Sequence, residues 1–313
     1  MHIELKNHLL DIWTAGDFCY TTIKQSFFRI LYIVASGRWR TNMNIQQIDE
    51  FAKAMIFEAG QRIRDSFSYD LVIETKSNAN DLVTNIDRET EAFFIEKIKA
   101  FDPTHKILGE EGMGEQVDSL DGVVWIIDPI DGTMNFVKQH RHFMITIGLF
   151  VDGVGKLGYI FDVMREDLFY AIAGVGAWYN DSPLRQLKPL KIEEAVIGIN
   201  ATWVTPNKKI NHEKLIDLIH TVRGTRSYGS AAMEIAYVVS GKLDAYISMR
   251  LAPWDIGGGT IIAKEVGAIA TNLKGEPLNF LSTDTFMIAN PSIHQLILDN
   301  YIQEKKESDT KGY

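Results

Sequence analysis

The stretch Trp125-Ile126-Ile127-Asp128-Pro129-Ile130-Asp131-Gly132-Thr133 runs an apolar segment straight into two carboxylates, a proline, a glycine and a threonine. A short apolar run of this kind reads as a buried strand, and acids at its end can share cations. Asp128 and Asp131 converge if the chain turns between them. Pro129 stiffens such a turn, and the backbone carbonyl of Ile130 adds a hard oxygen ligand of the kind Mg²⁺ takes. Gly132 and Thr133 then open a helix whose free N–H groups point at an anion. The same residues also read, more plainly, as an Asp-Pro turn closed by an Asp-Gly cap.

Further acids lie outward from this stretch. Gly109-Glu110-Glu111-Gly112 follows a second apolar strand at 106–108, and its glycines permit the bend that lets one glutamate ligate a metal while its neighbour orients water. Read blandly, it is a solvated acidic loop. Asp255, between Trp254 and Ile256-Gly257-Gly258-Gly259, stands at a helix start that brings backbone close to whatever Asp255 holds; N-capping alone would also explain it. Asp81-Leu82-Val83-Thr84 places an acid ahead of a short strand, where it can accept a hydrogen bond from a hydroxyl such as that of Thr133 and carry a proton away from attacking water.

Helix and strand signals alternate around these motifs, which implies a mixed α/β chain. Ile45, Ile48, Phe51, Ala52, Met55, Ile56, Ala59 and Ile63 recur at helical spacing, so the domain proper is expected to begin near Met43. Residues 1–42 lack a sustained period and read as an extension outside the fold, an appendage or the product of an upstream start codon. A helix is expected at 85–100 and an antiparallel meander over 143–150, 156–163 and 168–173. Beyond Pro183 and Pro189 the pattern becomes strand 194–200, helix 212–222, helix 231–240, strand 244–249 and helix 255–266, with Gly267 as its cap. A metal-binding α+β domain over 43–190, a C-terminal α/β domain over 191–305 and a polar tail over 306–313 follow.

Composition narrows the function. With 313 residues, the chain can bury a large core, and with Cys19 as its one cysteine it holds no internal disulfide. A formal net charge of −9 opposes any general attraction to nucleic acid or anionic lipid. The longest apolar run, 27–36, is interrupted by Arg29 and too short to span a bilayer, and the opening residues lack the order of a secretory signal, so a cytoplasmic location is expected. Gly153-Val154-Gly155-Lys156-Leu157-Gly158 matches a dinucleotide pattern but leads into a strand, and reads as a hairpin turn. His140 and His142 lack zinc-helix spacing, and Ser182 and Ser230 lack the GxSxG of a serine hydrolase.

In order and spacing, Asp81-Leu82-Val83-Thr84, Gly109-Glu110-Glu111, the 125–133 stretch with Asn135-Phe136, Gly229-Ser230-Ala231 and Trp254-Asp255 resemble the inositol monophosphatase family. The run Lys76-Ser77-Asn78 with Leu251-Ala252-Pro253-Trp254-Asp255 looks like its branch from Gram-positive bacteria. The resemblance covers most of the chain from Met43 to about Tyr301. It implies a layered αβαβα sandwich, α+β or α/β, of the sugar-phosphatase type. It also implies a magnesium-dependent, lithium-inhibited phosphomonoesterase, a homodimer, acting on a small phosphorylated metabolite and not on nucleic acid or membrane.

By motif, the resemblance gives Glu110, Asp128 and the Ile130 carbonyl to a first Mg²⁺ and Asp128, Asp131 and Asp255 to a second, with a third, weaker ion beside Glu110. Glu110, Thr133 and Asp81 would be catalytic, with metal-activated water as nucleophile. Gly132 and Thr133 would grip phosphate. Asp131, Ala231 and Ser248 would meet the leaving group. Family members selective for inositol phosphate often carry glutamate at the position of Ser248, and serine is shorter and neutral. Arg250, two residues on, is placed to meet a second phosphate or else is a surface or interface residue. Inositol 1-phosphate hydrolysis is the leading expectation. A broader sugar-phosphate, fructose 1,6-bisphosphate or NADP phosphatase comes second, and a regulatory, protein-binding role on the same fold comes third.

Overall fold

A computed structural model describes residues 45–68, 72–75, 82–207 and 209–303. The extension 1–42, Lys76-Ser77-Asn78, Asp81 and the tail 306–313 lie outside the described residues. The chain divides into two compact units, Met1–Ala54 and Met55–Tyr313. In the first, residues 45–54 open helix α1 (Ile45–Ser66), where Lys53 pairs with Asp49 one turn earlier at 2.8 Å. The second carries all the elements that follow.

A seven-stranded sheet is built from β3 (Lys106–Gly109), β4 (Val123–Asp131), β5 (Met144–Val151), β6 (Val154–Asp162), β7 (Asp167–Ile172), β8 (Gly176–Tyr179) and β9 (Ser182–Pro183), neighbours in chain order. Only β3 and β4 run parallel; the rest is the meander expected from the turn chemistry. The β5–β6 turn is Asp152-Gly153, both at positive φ (48° and 76°), the two-residue turn whose twist suits a hairpin. The glycine pattern at 153–158 therefore makes a turn and no nucleotide loop.

One face of this sheet carries helix α2 (Asn85–Phe101) and the Met55–Ser66 part of α1. On α1, Gly60 lets Phe161 approach: a Cβ there would lie 2.5 Å from the ring. A two-stranded ribbon, β1 (Ile73–Thr75) with β2 (Leu82–Thr84), precedes α2. The start of α2 is fixed by a capping box, in which Thr84 Oγ1 accepts from the Ile86 and Asp87 N–H groups and Asp87 accepts the Thr84 N–H at 2.8 Å.

The second sheet, in the order β11-β10-β12-β14-β13, is mixed. It comprises β10 (Val196–Ile199), β11 (Gly224–Arg226), β12 (Ala245–Leu251), β13 (Ile269–Thr271) and β14 (Asp284–Ala289). Its outer face is closed by α4 (His212–Thr221) and α7 (His294–Tyr301) over Ile197, Ile199, Ile247 and Met249. Between the sheets lie α5 (Ala231–Val239) and α6 (Pro253–Glu265), in one core with Ile126, Ile160 and Phe169 on one side and Tyr246, Phe286 and Ile288 on the other. The order is helices, sheet, helices, sheet, helices, the αβαβα sandwich. The sheets change between Pro183 and Val196, around the boundary expected near residue 190, yet α5 and α6 from beyond it share a core with the first sheet.

The glycines after Asp255 have a packing role. A Cβ on Gly258 would stand 2.6 Å from the carbonyl oxygens of Ile147 and Tyr159, one on Gly148 would stand 2.7 Å from Gly257, and one on Gly158 would stand 2.3 Å from the Gly258 carbonyl. Helix α6 therefore lies backbone to backbone on β5 and β6, closer than any side chain allows. The close approach expected at Asp255 is thus to the sheet, and it carries Asp255 toward the end of β4. Among the described residues no helix is long and apolar enough to cross a membrane.

Candidate active site

The convergence of Asp128 and Asp131 comes from a defect in pairing, and no reversing turn lies between them. On a pleated strand, residues three apart point to opposite faces. Here Asp128 pairs with Thr146 and Asp131 with Met144, so β4 carries one residue more than β5 over this interval. That bulge turns the second carboxylate back to the side of the first and accommodates Pro129, which cannot donate to the ladder. Asp128 Oδ1 accepts the Ile130 N–H at 2.9 Å. The third acid arrives from α6, where Asp255 sits in the first turn and accepts the Ala252 N–H at 2.7 Å. Oxygens of Asp128, Asp131 and Asp255 all lie within 4.8 Å of one another.

Asp131 is held by the start of α5. Ser230 caps that helix, accepting the Met233 N–H at 3.1 Å, and its hydroxyl donates to Asp131 Oδ2. The Ala231 and Ala232 N–H groups add bonds at 3.2 and 2.8 Å. Gly132 is left-handed (φ 94°) and wedged tightly, since a Cβ would meet Ser230 Cβ at 3.1 Å and the Gly229 and His142 carbonyl oxygens at 3.3 Å. Thr133 then begins α3 (Thr133–Gln139). Ser230 is a cap and a positioning donor, which its lack of nucleophile spacing had left without a role.

Burial is the first cause of perturbed acidity here. It raises Asp128 and Asp255 well above the usual carboxylate range, reinforced by neighbouring acids: Glu110, Asp131 and Asp255 act on Asp128, and Asp131 and Glu110 on Asp255. Asp131 is raised less, to about 6, because the donors from Ser230 and Ala232 favour its charged form. Three carboxylates forced together in low dielectric ask for a cation. The donor set is all oxygen: these acids, Glu110, which bonds Asp128, and the Ile130 carbonyl, which retains a lone pair beside its 3.2 Å bond from Thr133. It fits a hard ion such as Mg²⁺.

Among the described residues, the hydroxyl expected to lean on Asp81 meets Asp87 and Ile130. Asp81 lies outside the described residues, while Thr133 Oγ1 is 3.3 Å from Asp87 Oδ1 and 3.2 Å from the Ile130 carbonyl. Asp87, absent from the sequence reading, is buried, and Thr84 donates to its Oδ2 through both N–H and Oγ1. The spacing of Thr84 and Asp87 as a capping box was the signal for it. Glu91, one turn later and 0% exposed, was missed as well. It accepts the Glu111 and Met113 N–H groups at 2.7 and 2.8 Å and so shapes the loop that carries Glu110. Ser248 is buried, its hydroxyl within reach of the Arg250 backbone at 3.3 and 3.4 Å; the Arg250 side chain is exposed, at a register shift in β12.

A model of the inositol monophosphatase family matches residues 44–307. The chain is 55% identical over 263 residues to the inositol-1-monophosphatase of Bacillus subtilis strain 168, covering 84% of this chain and 99% of the relative. Among solved structures, Staphylococcus aureus inositol monophosphatase II with inositol monophosphate bound is similar with a TM-score of 0.74 at 38% identity, over 82% of this chain and 93% of that one. An inositol monophosphatase/NADP phosphatase complexed with Mg²⁺ and phosphate is similar with a TM-score of 0.76 at 28% identity, over 84% and 99%. With its three converging acids, its layered sandwich and a match over nearly all of the described chain, this protein belongs to the inositol monophosphatase family.

Proposed function

We propose that the chain is a Mg²⁺-dependent phosphomonoesterase that hydrolyses inositol 1-phosphate to inositol and phosphate. The observation that carries this reading is the approach of Asp128, Asp131 and Asp255 within 4.8 Å. Glu110, Asp128 and the Ile130 carbonyl would hold one ion, and Asp128, Asp131 and Asp255 a second, with Asp128 shared; a third, weaker ion would lie beside Glu110. Bound there, Mg²⁺ supplies Lewis acidity to the phosphoryl group and lowers the pKa of water. The chain's own part begins at Thr133, whose Oγ1 takes up a proton from the attacking water as its own is passed toward Asp87. Gly132 and Thr133 N–H groups hold phosphate oxygens, and Asp131 and Ala231 face the leaving group.

A second reading is favoured by Ser248 and Arg250. With a buried serine in place of a longer acid, and an exposed guanidinium next to it, the leaving-group side suits a substrate with a second anionic group, such as fructose 1,6-bisphosphate or NADP. Phosphate release from the three substrates, with Mg²⁺ and with chelator, ranks them. Release only from the doubly anionic ones would replace the first reading by the second, and release from none would leave a regulatory, partner-binding role. The homodimer implied by the family resemblance and a cytoplasmic location belong to the same proposal; a monomer by light scattering would remove the first.

A further inference from the structure

One buried acid takes no part in this scheme. Glu234, on α5, is 3% exposed, and its Oε1 accepts the Tyr228 N–H at 2.8 Å. Its Oε2 is buried without a hydrogen-bond partner. That oxygen fits against β10, where a Cβ on Gly198 would stand 2.3 Å from Oε2 and 3.1 Å from the Tyr246 ring. Gly198 lies in a regular strand, so the room it leaves, and no backbone requirement, is what its lack of a side chain provides. Burial pushes the Glu234 carboxyl up to about 7, as expected for an acid held in the core by one donor.

Tyr228, whose N–H is held by Glu234, is gripped at its carbonyl as well. Asn135, on α3, donates to the Tyr228 carbonyl at 2.7 Å and to the His142 carbonyl at 2.8 Å. Immediately downstream Gly229 is left-handed (φ 79°), and a Cβ there would meet Asn135 at 3.2 Å, so the chain has no slack at this point. The next three residues, Ser230, Ala231 and Ala232, are the donors that orient Asp131. A displacement of Tyr228 therefore passes through a single residue, Gly229, to the donors on the carboxylate.

We infer that Glu234 is a positioning residue: by holding the Tyr228 N–H while Asn135 holds the Tyr228 carbonyl, it sets the orientation of Asp131, and so controls divalent-cation and substrate binding at a site it does not touch. This rests on the reading of the acidic cluster as a Mg²⁺ site. Partners one step removed from ligands change metal affinity by roughly 10–100-fold in general.

The test compares Glu234→Gln, Glu234→Ala, Gly198→Ala and the double variant Gly198→Ala/Glu234→Ala in the full chain. Mg²⁺ binding to chelator-stripped protein is followed by calorimetry, with kcat and KM for inositol 1-phosphate measured separately and circular dichroism reporting folding. Glu234→Gln keeps an acceptor for Tyr228 and should bind Mg²⁺ within about twofold of wild type. Glu234→Ala should bind about tenfold more weakly, with a raised KM, while still folded. Gly198→Ala should act in the same direction, because its methyl takes the carboxyl's space, and should add nothing once Glu234 is alanine. Folded Glu234→Ala with wild-type Mg²⁺ affinity would overturn the inference, as would Glu234→Gln as weak as Glu234→Ala or strictly additive effects in the double variant. If Glu234→Ala does not fold, Gly198→Ala decides: weakened binding supports the role and unchanged binding ends it. Absence of Mg²⁺ binding by the wild-type chain would instead defeat the parent reading, and would be seen before any variant is made.

Discussion

Removing a charge from the acidic cluster should stabilise the metal-free protein while destroying its function. Asp128 lies at the centre, buried, with oxygens of Asp131 and Asp255 within 4.8 Å. At that separation and an effective dielectric of about 20, each like-charge pair costs roughly 3 kcal/mol. Asp128→Asn removes two such pairs, part of whose repulsion is already relieved in the wild type by partial protonation of the crowded acids, so a gain of about 2–3 kcal/mol at pH 8 is expected in chelator. The pH dependence has a definite sign. Burial and mutual repulsion raise all three carboxyl groups in the folded protein, Asp131 to about 6, so between roughly pH 4 and 6 and above the folded state holds more protons than the unfolded chain, and stability falls as pH rises.

Buried His105 and His294 are lowered and pull the other way over part of this range, but they are common to both proteins and cancel in the difference. Urea denaturation of wild type and Asp128→Asn at pH 5 and pH 8, with chelator, measures that difference. The variant should be the more stable at pH 8, with the gap narrowing toward pH 5 as Asp128 takes up its proton. Saturating Mg²⁺ should reverse the order. A variant less stable than wild type at pH 8 in chelator, or a gap independent of pH, would refute the reasoning.

Three other outcomes are expected. Asp87→Ala removes the carboxylate beside Thr133 and should lower kcat by about 10²-fold with little change in Mg²⁺ affinity; unchanged kcat would remove Asp87 from the proton path. Gly258→Ala forces a methyl to 2.6 Å from two carbonyl oxygens, and even after about 1 kcal/mol of improved helix propensity should destabilise by about 2 kcal/mol in urea and weaken Mg²⁺ binding by displacing Asp255. Arg250→Ala should raise KM about tenfold for fructose 1,6-bisphosphate or NADP and leave inositol 1-phosphate unaffected, whereas equal effects on all substrates would place Arg250 outside the leaving-group side.

Much of the site was legible because its acids follow apolar strands in a short, dense motif, and the helix that opens at Thr133 stands where the residues place it, although the strand runs on through both acids to Asp131. What the residues hid were relations across the fold. The bulge between Asp128 and Asp131 exists only as a count against β5, and no local feature of β4 gives the partner's count. Asp87 and Glu91 drew no reading within the expected helix at 85–100; their burial follows from the docking of that helix on β4 and the loop after β3. The triple glycine at 257–259 suggests backbone brought close to whatever Asp255 holds, yet its partners, Gly148 and Gly158, lie about a hundred residues earlier in the chain. The sheets change between Pro183 and Val196, and composition could not reveal that the helices beyond fill the space between both sheets.

A Mg²⁺-dependent phosphatase site built on Asp128, Asp131 and Asp255 has a decisive assay. Phosphate release from inositol 1-phosphate, measured for wild type with Mg²⁺, wild type with chelator and folded Asp128→Asn with Mg²⁺, tests it most directly. Turnover is expected in the first case alone. Turnover retained by Asp128→Asn, or by the wild type in chelator, would contradict it.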